Sequence, residues 1–160
     1  MTTETHFPRA DWPRLLCALR AGEVRAAAER CARELSVRDL ALPQSGLALL
    51  KLRDGALAED YFLGEMPLAR ARVAVTTVDG RRAEGAAQIL DDRASLARSI
   101  AILDAVLAGG FPGCETVEPL LEQGAHVLER VAAGRRALLA ATHVDFSLLA
   151  RTDDEEDDDA

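Results

Sequence analysis

Apolar and polar residues alternate with a period of two through much of residues 46–90, and recur with a helical period on either side of that stretch. The central stretch predicts strands near Leu47–Arg53, Leu57–Leu63, Leu68–Val78 and Arg81–Leu90. Asp54-Gly55 and Asp79-Gly80 punctuate it. An Asp-Gly pair suits a type I′ turn, whose central residues both need positive φ. Gly64-Glu65-Met66-Pro67 then joins the two hairpins. The expected fold class is α+β: an antiparallel four-stranded β-meander flanked by an N-terminal helical hairpin and C-terminal helices, which cover one face of the sheet.

Within the third strand the alternation puts Ala69, Ala71, Val73 and Val75 on one face and Leu68, Arg70, Arg72, Ala74 and Thr76 on the other. A two-residue turn at Asp79-Gly80 sets Arg70 and Arg72 opposite Ile89 and Ala87. The arginine face then carries the small residues Ala83, Gly85 and Ala87. A bulge at Gly85 would alter that register.

Upstream, Asp11 and Pro13 read as the start of a helix carrying Trp12, Leu15, Leu16 and Leu19, ended by Gly22. A second helix runs from about Glu23 to Leu35 on the spacing of Val24, Ala27, Ala28, Cys31 and Leu35. Val37–Leu42 is ambiguous, and Pro43 breaks any regular element there. Downstream, Ser95–Leu107 is the clearest helix, with Leu96, Ile100, Leu103 and Leu107 as its buried stripe and Gly109-Gly110 as its stop. Asp104 lies inside it, placed at the stripe's edge to bond a loop or an arginine. A last helix begins at Thr116 or Glu118 and continues toward Thr142, with Gly124 and Gly134 as possible breaks. The domain reading is a loose segment 1–10, one domain over 11–152, and an acidic, disordered tail over 153–160.

Composition narrows the picture. Of the residues, 49% are hydrophobic but only 4% aromatic, so the core is built of Leu, Val, Ile and Ala. Net charge is −8, and Asp153 to Asp159 supply seven of those negatives, which leaves the body at −1. That balance gives no sign of a nucleic-acid partner. Lys51 is the sole lysine, so nearly all fixed cations are arginines, suited to bidentate anion contacts. Cys17, Cys31 and Cys114 are scattered and form no CxxC pair, which implies neither a disulfide framework nor a zinc site. A cytoplasmic setting fits these thiols, and no signal-type or membrane-spanning run is evident.

No phosphate loop, nucleophile elbow or HExxH motif occurs. Gly109–Gly113 follows a helix and reads as its stop. Glu122 and His126 stand at i, i+4 without an evident third ligand, so a hydrogen-bonded pair is favoured over a metal site. His143 and Asp145 suit either an acid/base pair or a structural contact, with no nucleophile placed beside them. Arg70 and Arg72 are the best candidates. They either cover apolar surface with their stems or meet a phosphate or carboxylate from a ligand or a partner.

A larger pattern spans most of residues 11–152: Gly46-Leu47, Tyr61-Phe62-x-Gly64-Glu65, Arg70-x-x-Val73, Leu103-Asp104-Ala105, and Val144-Asp145-Phe146 followed by Arg151. It resembles the PhnG family, the G subunits of the bacterial carbon–phosphorus lyase system. The sequence departs from that family at Asp91-Asp92-Arg93 and at Leu96 and Arg98, where the family tends to carry His and Glu. The resemblance implies a non-autonomous subunit of a transferase complex. With the H, I and L subunits it would take part in displacing adenine from MgATP by a phosphonate, giving a ribose 1-phosphonate 5-triphosphate that the radical J subunit later cleaves. It implies direct contact with the I subunit, no cofactor bound by this chain, and Arg70, Arg72, Glu65, Asp145 and Arg151 as ligand- or partner-contacting candidates. The alternative is a stand-alone dimeric adaptor whose acidic tail recruits basic partners.

Overall fold

The computed structural model describes residues 7–142, which form α1 (Trp12–Cys17), α2 (Ala21–Ala32), β1 (Ser36–Arg53), β2 (Asp60–Thr76), β3 (Arg82–Ile89), α3 (Ala94–Gly109) and α4 (Cys114–Ala141). The chain divides into two compact units, one ending at Leu128 and one beginning at Glu129, and α4 contributes to both.

The first unit is α+β, with three antiparallel strands in the order β1-β2-β3 rather than four. The segment Gly64–Pro67, expected to turn, runs through as strand: Gly64 pairs with Leu50 and Pro67 with Leu47. Pro43, expected to break regular structure, sits inside β1. It falls where the register shifts between Ala41 and Gln44, at a bulge that asks no N–H of the proline. The ambiguous segment before it is also strand. Two of the four expected strands are therefore the far ends of two long ones.

Neither Asp-Gly pair makes a type I′ turn. Gly55 has no positive φ, and the Asp54 carboxylate instead accepts N–H bonds from Ala56 (2.6 Å) and Leu57 (2.8 Å), closing a longer loop. At the second pair only Gly80 is left-handed, at φ 86°. Thr77 N–H bonds Arg81 O at 2.9 Å around the three residues between them, which is the type I turn plus left-handed glycine of a three-residue hairpin loop.

That extra loop residue moves the register by one. Arg70 pairs with Gln88 and Arg72 with Ala86, not with Ile89 and Ala87. A shift of one sends every side chain of β3 to the opposite face. Gly85, Ala87 and Ile89 are buried against the helices, and Glu84, Ala86 and Gln88 share the open face with the arginines. The glycine is needed there: a Cβ on Gly85 would lie 2.0 Å from Ala101 O of α3.

All helices of this unit lie on the buried side of the sheet or against α3. The alternation Ala69, Ala71, Val73, Val75 meets α3, as the sequence pattern predicts. α3 is buried on every side from Ile100 to Leu107, more fully than one stripe implies, because α2 covers it from the side away from the sheet. Its left-handed Gly110 ends it as expected. α1 and α2 form the helical hairpin, but Gly22 belongs to α2 and the break comes earlier. Gly124 does not break α4. It admits α1, since a Cβ there would lie 2.2 Å from Leu15 O.

Phe7–Ala10, expected to be loose, are tied in. The Trp12 indole N–H bonds Phe7 O (2.9 Å), and Arg9 reaches α3. Its guanidinium donates to both carboxylate oxygens of buried Asp104, at 2.9 and 2.8 Å, and to Glu84 O at 2.8 Å. Asp104 also accepts Ala86 N–H at 2.9 Å. The pair thus closes part of the free edge of β3 with a donor and an acceptor, as another strand would.

In the second unit, α4 continues through Ala141 with Val131, Leu138 and Leu139 exposed. Among the described residues no single helix is long and apolar enough to cross a membrane.

Candidate functional site

The face of the sheet turned away from the helices carries the candidate site. Three strands contribute in register. Gln44, Arg70 and Gln88 form one row across β1, β2 and β3, and Ala41, Arg72 and Ala86 form the next. The bulged part of β1 raises Leu42 beside these rows, and together they line a concavity of about 460 Å³. A second one of about 250 Å³, lined by Ser45, Gly46, Leu47 and Leu68, shares Gln44 and Arg70 as its wall.

The two arginines differ electrostatically. Arg72 Nη2 meets Glu84 at 2.8 Å, and this bond, opposed by some desolvation, holds the Glu84 carboxyl below the usual carboxylate range. Arg70 has no carboxylate within ion-pair distance among the described residues. Its Nε and Nη2 both donate to the Gln44 carbonyl oxygen, at 3.1 and 2.8 Å. A neutral acceptor fixes the fork and leaves its charge uncompensated. The small side chains of Ala41 and Ala86 keep the floor low enough for the fork to be reached.

Beyond this face, residues 46–53 of β1 pair with residues 60–68 of β2 past the end of β3, whose pairing starts at Ala69. The result is a two-stranded arm about 25 Å long. It is strongly apolar yet open: Leu47, Leu49, Tyr61, Phe62 and Leu63 are all exposed, Leu47 at 68% and Phe62 at 61%. A lone two-stranded ribbon is at best marginally stable in water, and exposed large apolar side chains on it make the arm a candidate interaction surface.

The residues singled out from sequence separate accordingly. Arg70 and Arg72 come together in the concavity. Glu65 lies exposed on the arm opposite Leu49, about 16 Å along the strand from Arg70, and so outside the concavity. Asp145 and Arg151, like His143, lie outside the described residues. Among the described residues no cluster of three or more His, Cys, Asp and Glu could hold a metal ion. Gln44, Leu42 and Gln88 escaped the sequence reading. Gln88 required the true register, and Gln44 lay in the stretch that Pro43 seemed to exclude.

The geometry defines a class: an α+β domain with an arginine-bearing open sheet face and a projecting apolar arm. The model of the family described as "Phosphonate metabolism protein PhnG" matches residues 7–152. A relative from Rhizobium meliloti (strain 1021), the alpha-D-ribose 1-methylphosphonate 5-triphosphate synthase subunit PhnG, is 30% identical over 146 residues, covering 91% of this chain and 90% of its own. The chain belongs to the PhnG family, and so to phosphonate metabolism and the carbon–phosphorus lyase system.

Proposed function

We propose that this chain is a subunit of the carbon–phosphorus lyase core complex in the cytoplasm and is inactive alone. With the H, I and L subunits it takes part in the displacement of adenine from C1′ of MgATP by a phosphonate, and the ribose 1-phosphonate 5-triphosphate passes to the J subunit. Its own share is chiefly assembly. The arm docks on a partner subunit, the I subunit most directly, and completes a reactive centre that lies mainly on other chains.

The exposed apolar arm carries this reading, because Tyr61, Phe62 and Leu63 are large apolar side chains that stay open to solvent within the described domain. Co-expression with the H, I and J subunits tests it. The wild-type chain is expected to co-elute with them, and the triple variant Tyr61→Ser, Phe62→Ser, Leu63→Ser to remain folded by circular dichroism but to leave the complex. Full assembly of the triple variant would remove the arm from the interface. A stable dimer that ignores these partners would favour the stand-alone adaptor instead.

A further inference from the structure

We infer that the concavity on the open sheet face is a binding site for a tetrahedral phosphorus oxyanion, with Arg70 as its principal ligand-contacting residue and the carboxamides of Gln44 and Gln88 as flanking donors. The first observation is the state of Arg70. Its fork is held by the Gln44 carbonyl oxygen, so the side chain is ordered before any ligand arrives. Ordering a long side chain is one of the main costs of binding, and here it is already met. A guanidinium carries five N–H donors. Those that Gln44 does not use remain available.

The second observation is the arrangement of the other donors. Because its oxygen faces Arg70, the Gln44 carboxamide turns its nitrogen elsewhere, and neither that nitrogen nor the Gln88 side chain has a hydrogen-bond partner among the described residues. The register sets Gln44 and Gln88 on opposite sides of Arg70, on different strands. Donors arriving from three strands suit an anion with three oxygens spread in space. A carboxylate presents two oxygens in one plane and would use the remaining Nη1/Nη2 edge of Arg70 alone.

The third observation is the field. Arg72 adds a guanidinium to the same lining, although Glu84 offsets it. Among the described residues, no acidic one lines the concavity itself. Free phosphate, a phosphonate and the phosphate chain of a nucleotide share this chemistry, and separate titrations distinguish the three.

The experiment uses the full-length chain, labelled for NMR, at low ionic strength. Inorganic phosphate, methylphosphonate, MgATP and acetate are titrated in turn, following the Arg70 Nε–H and the side-chain amides of Gln44 and Gln88. At least one phosphorus probe is expected to shift all three sets saturably, with the tightest identifying the source. Arg70→Gln is expected to weaken that binding by about tenfold or more, while Arg25→Gln, on the far side of the domain's helical layer, leaves it unchanged. Gln88→Leu, which spares the Arg70–Gln44 pair, is expected to weaken it by a smaller factor, so the test does not hang on one variant. Absence of any shift, equal binding by Arg70→Gln in a folded chain, or acetate matching the best phosphorus probe would each overturn the assignment. Because the titration needs no other subunit, a failure of complex formation would leave it standing, and the reverse also holds.

Discussion

Gly85 offers the sharpest check on the register that builds the open face. An added Cβ would stand 2.0 Å from Ala101 O, 2.6 Å from Ala105 N and 2.8 Å from the Ala105 Cβ. An ordinary C···O contact is about 3.3 Å or longer, so the helix must retreat by roughly 1 Å. The obstacle is backbone of α3, buried on every side, and no flexible side chain can yield. Overpacking a close-fitted core costs about 1–3 kcal/mol, and a clash with main chain belongs at the upper end. Gly85→Ala is therefore expected to destabilise by about 3 kcal/mol, less the ~0.5–1 kcal/mol that alanine gains over glycine in a strand. With a urea m-value of about 2 kcal/mol/M, the midpoint falls by roughly 1 M. Gly46→Ala supplies the control, because nothing lies within 4 Å of its Cβ position. It is expected to leave the midpoint unchanged or raise it slightly. Were Gly85 on the open face, as a two-residue turn would place it, both substitutions would behave alike. A Gly85→Ala midpoint equal to or above wild type would refute the register and, with it, the row of Gln44, Arg70 and Gln88.

Other outcomes follow from the buried groups. Arg9→Ala leaves the Asp104 carboxylate, only 4% exposed, with Ala86 N–H as its remaining described partner; a loss of about 2–3 kcal/mol is expected, read by urea unfolding and by faster proteolysis of the N-terminal segment, and unaltered values would show the clasp to be dispensable. Burial pushes the Cys114 thiol up to about 11, and burial likewise raises Cys31 and Cys17. The folded chain therefore holds a proton on Cys114 that the unfolded chain releases near pH 8.5–9, roughly the free-thiol value. Its contribution to stability is complete below that pH and is lost as pH rises toward 11. Alkylation followed by peptide mass mapping at neutral pH is expected to label half-exposed Cys17 before buried Cys31 and Cys114, and rapid labelling of Cys114 in folded protein would contradict its burial.

Much of the domain was legible along the chain. The helical periods of residues 12–35 and 95–107 found α1, α2 and α3, because each helix buries a repeating face and the repeat is written locally. The alternation from Ala69 to Val75 found the buried face of β2 for the same reason, and with it the side on which Arg70 and Arg72 stand. Asp104 was marked as an oddity within an apolar helix, and an arginine does bind it. That this arginine is Arg9, 95 residues away, is decided only by packing.

What the sequence left undetermined has one physical source: strand length and register depend on pairing with a distant partner. Gly64 and Pro67 look like a turn until Leu50 and Leu47 lie across from them, and Pro43 looks like a break until a bulge takes up the missing donor. One extra residue in the loop at Asp79-Gly80 then decides which face receives Gly85 and which receives Gln88. Local chemistry set the elements and the face that carries the arginines; the long-range pairing of three strands chose what stands beside them.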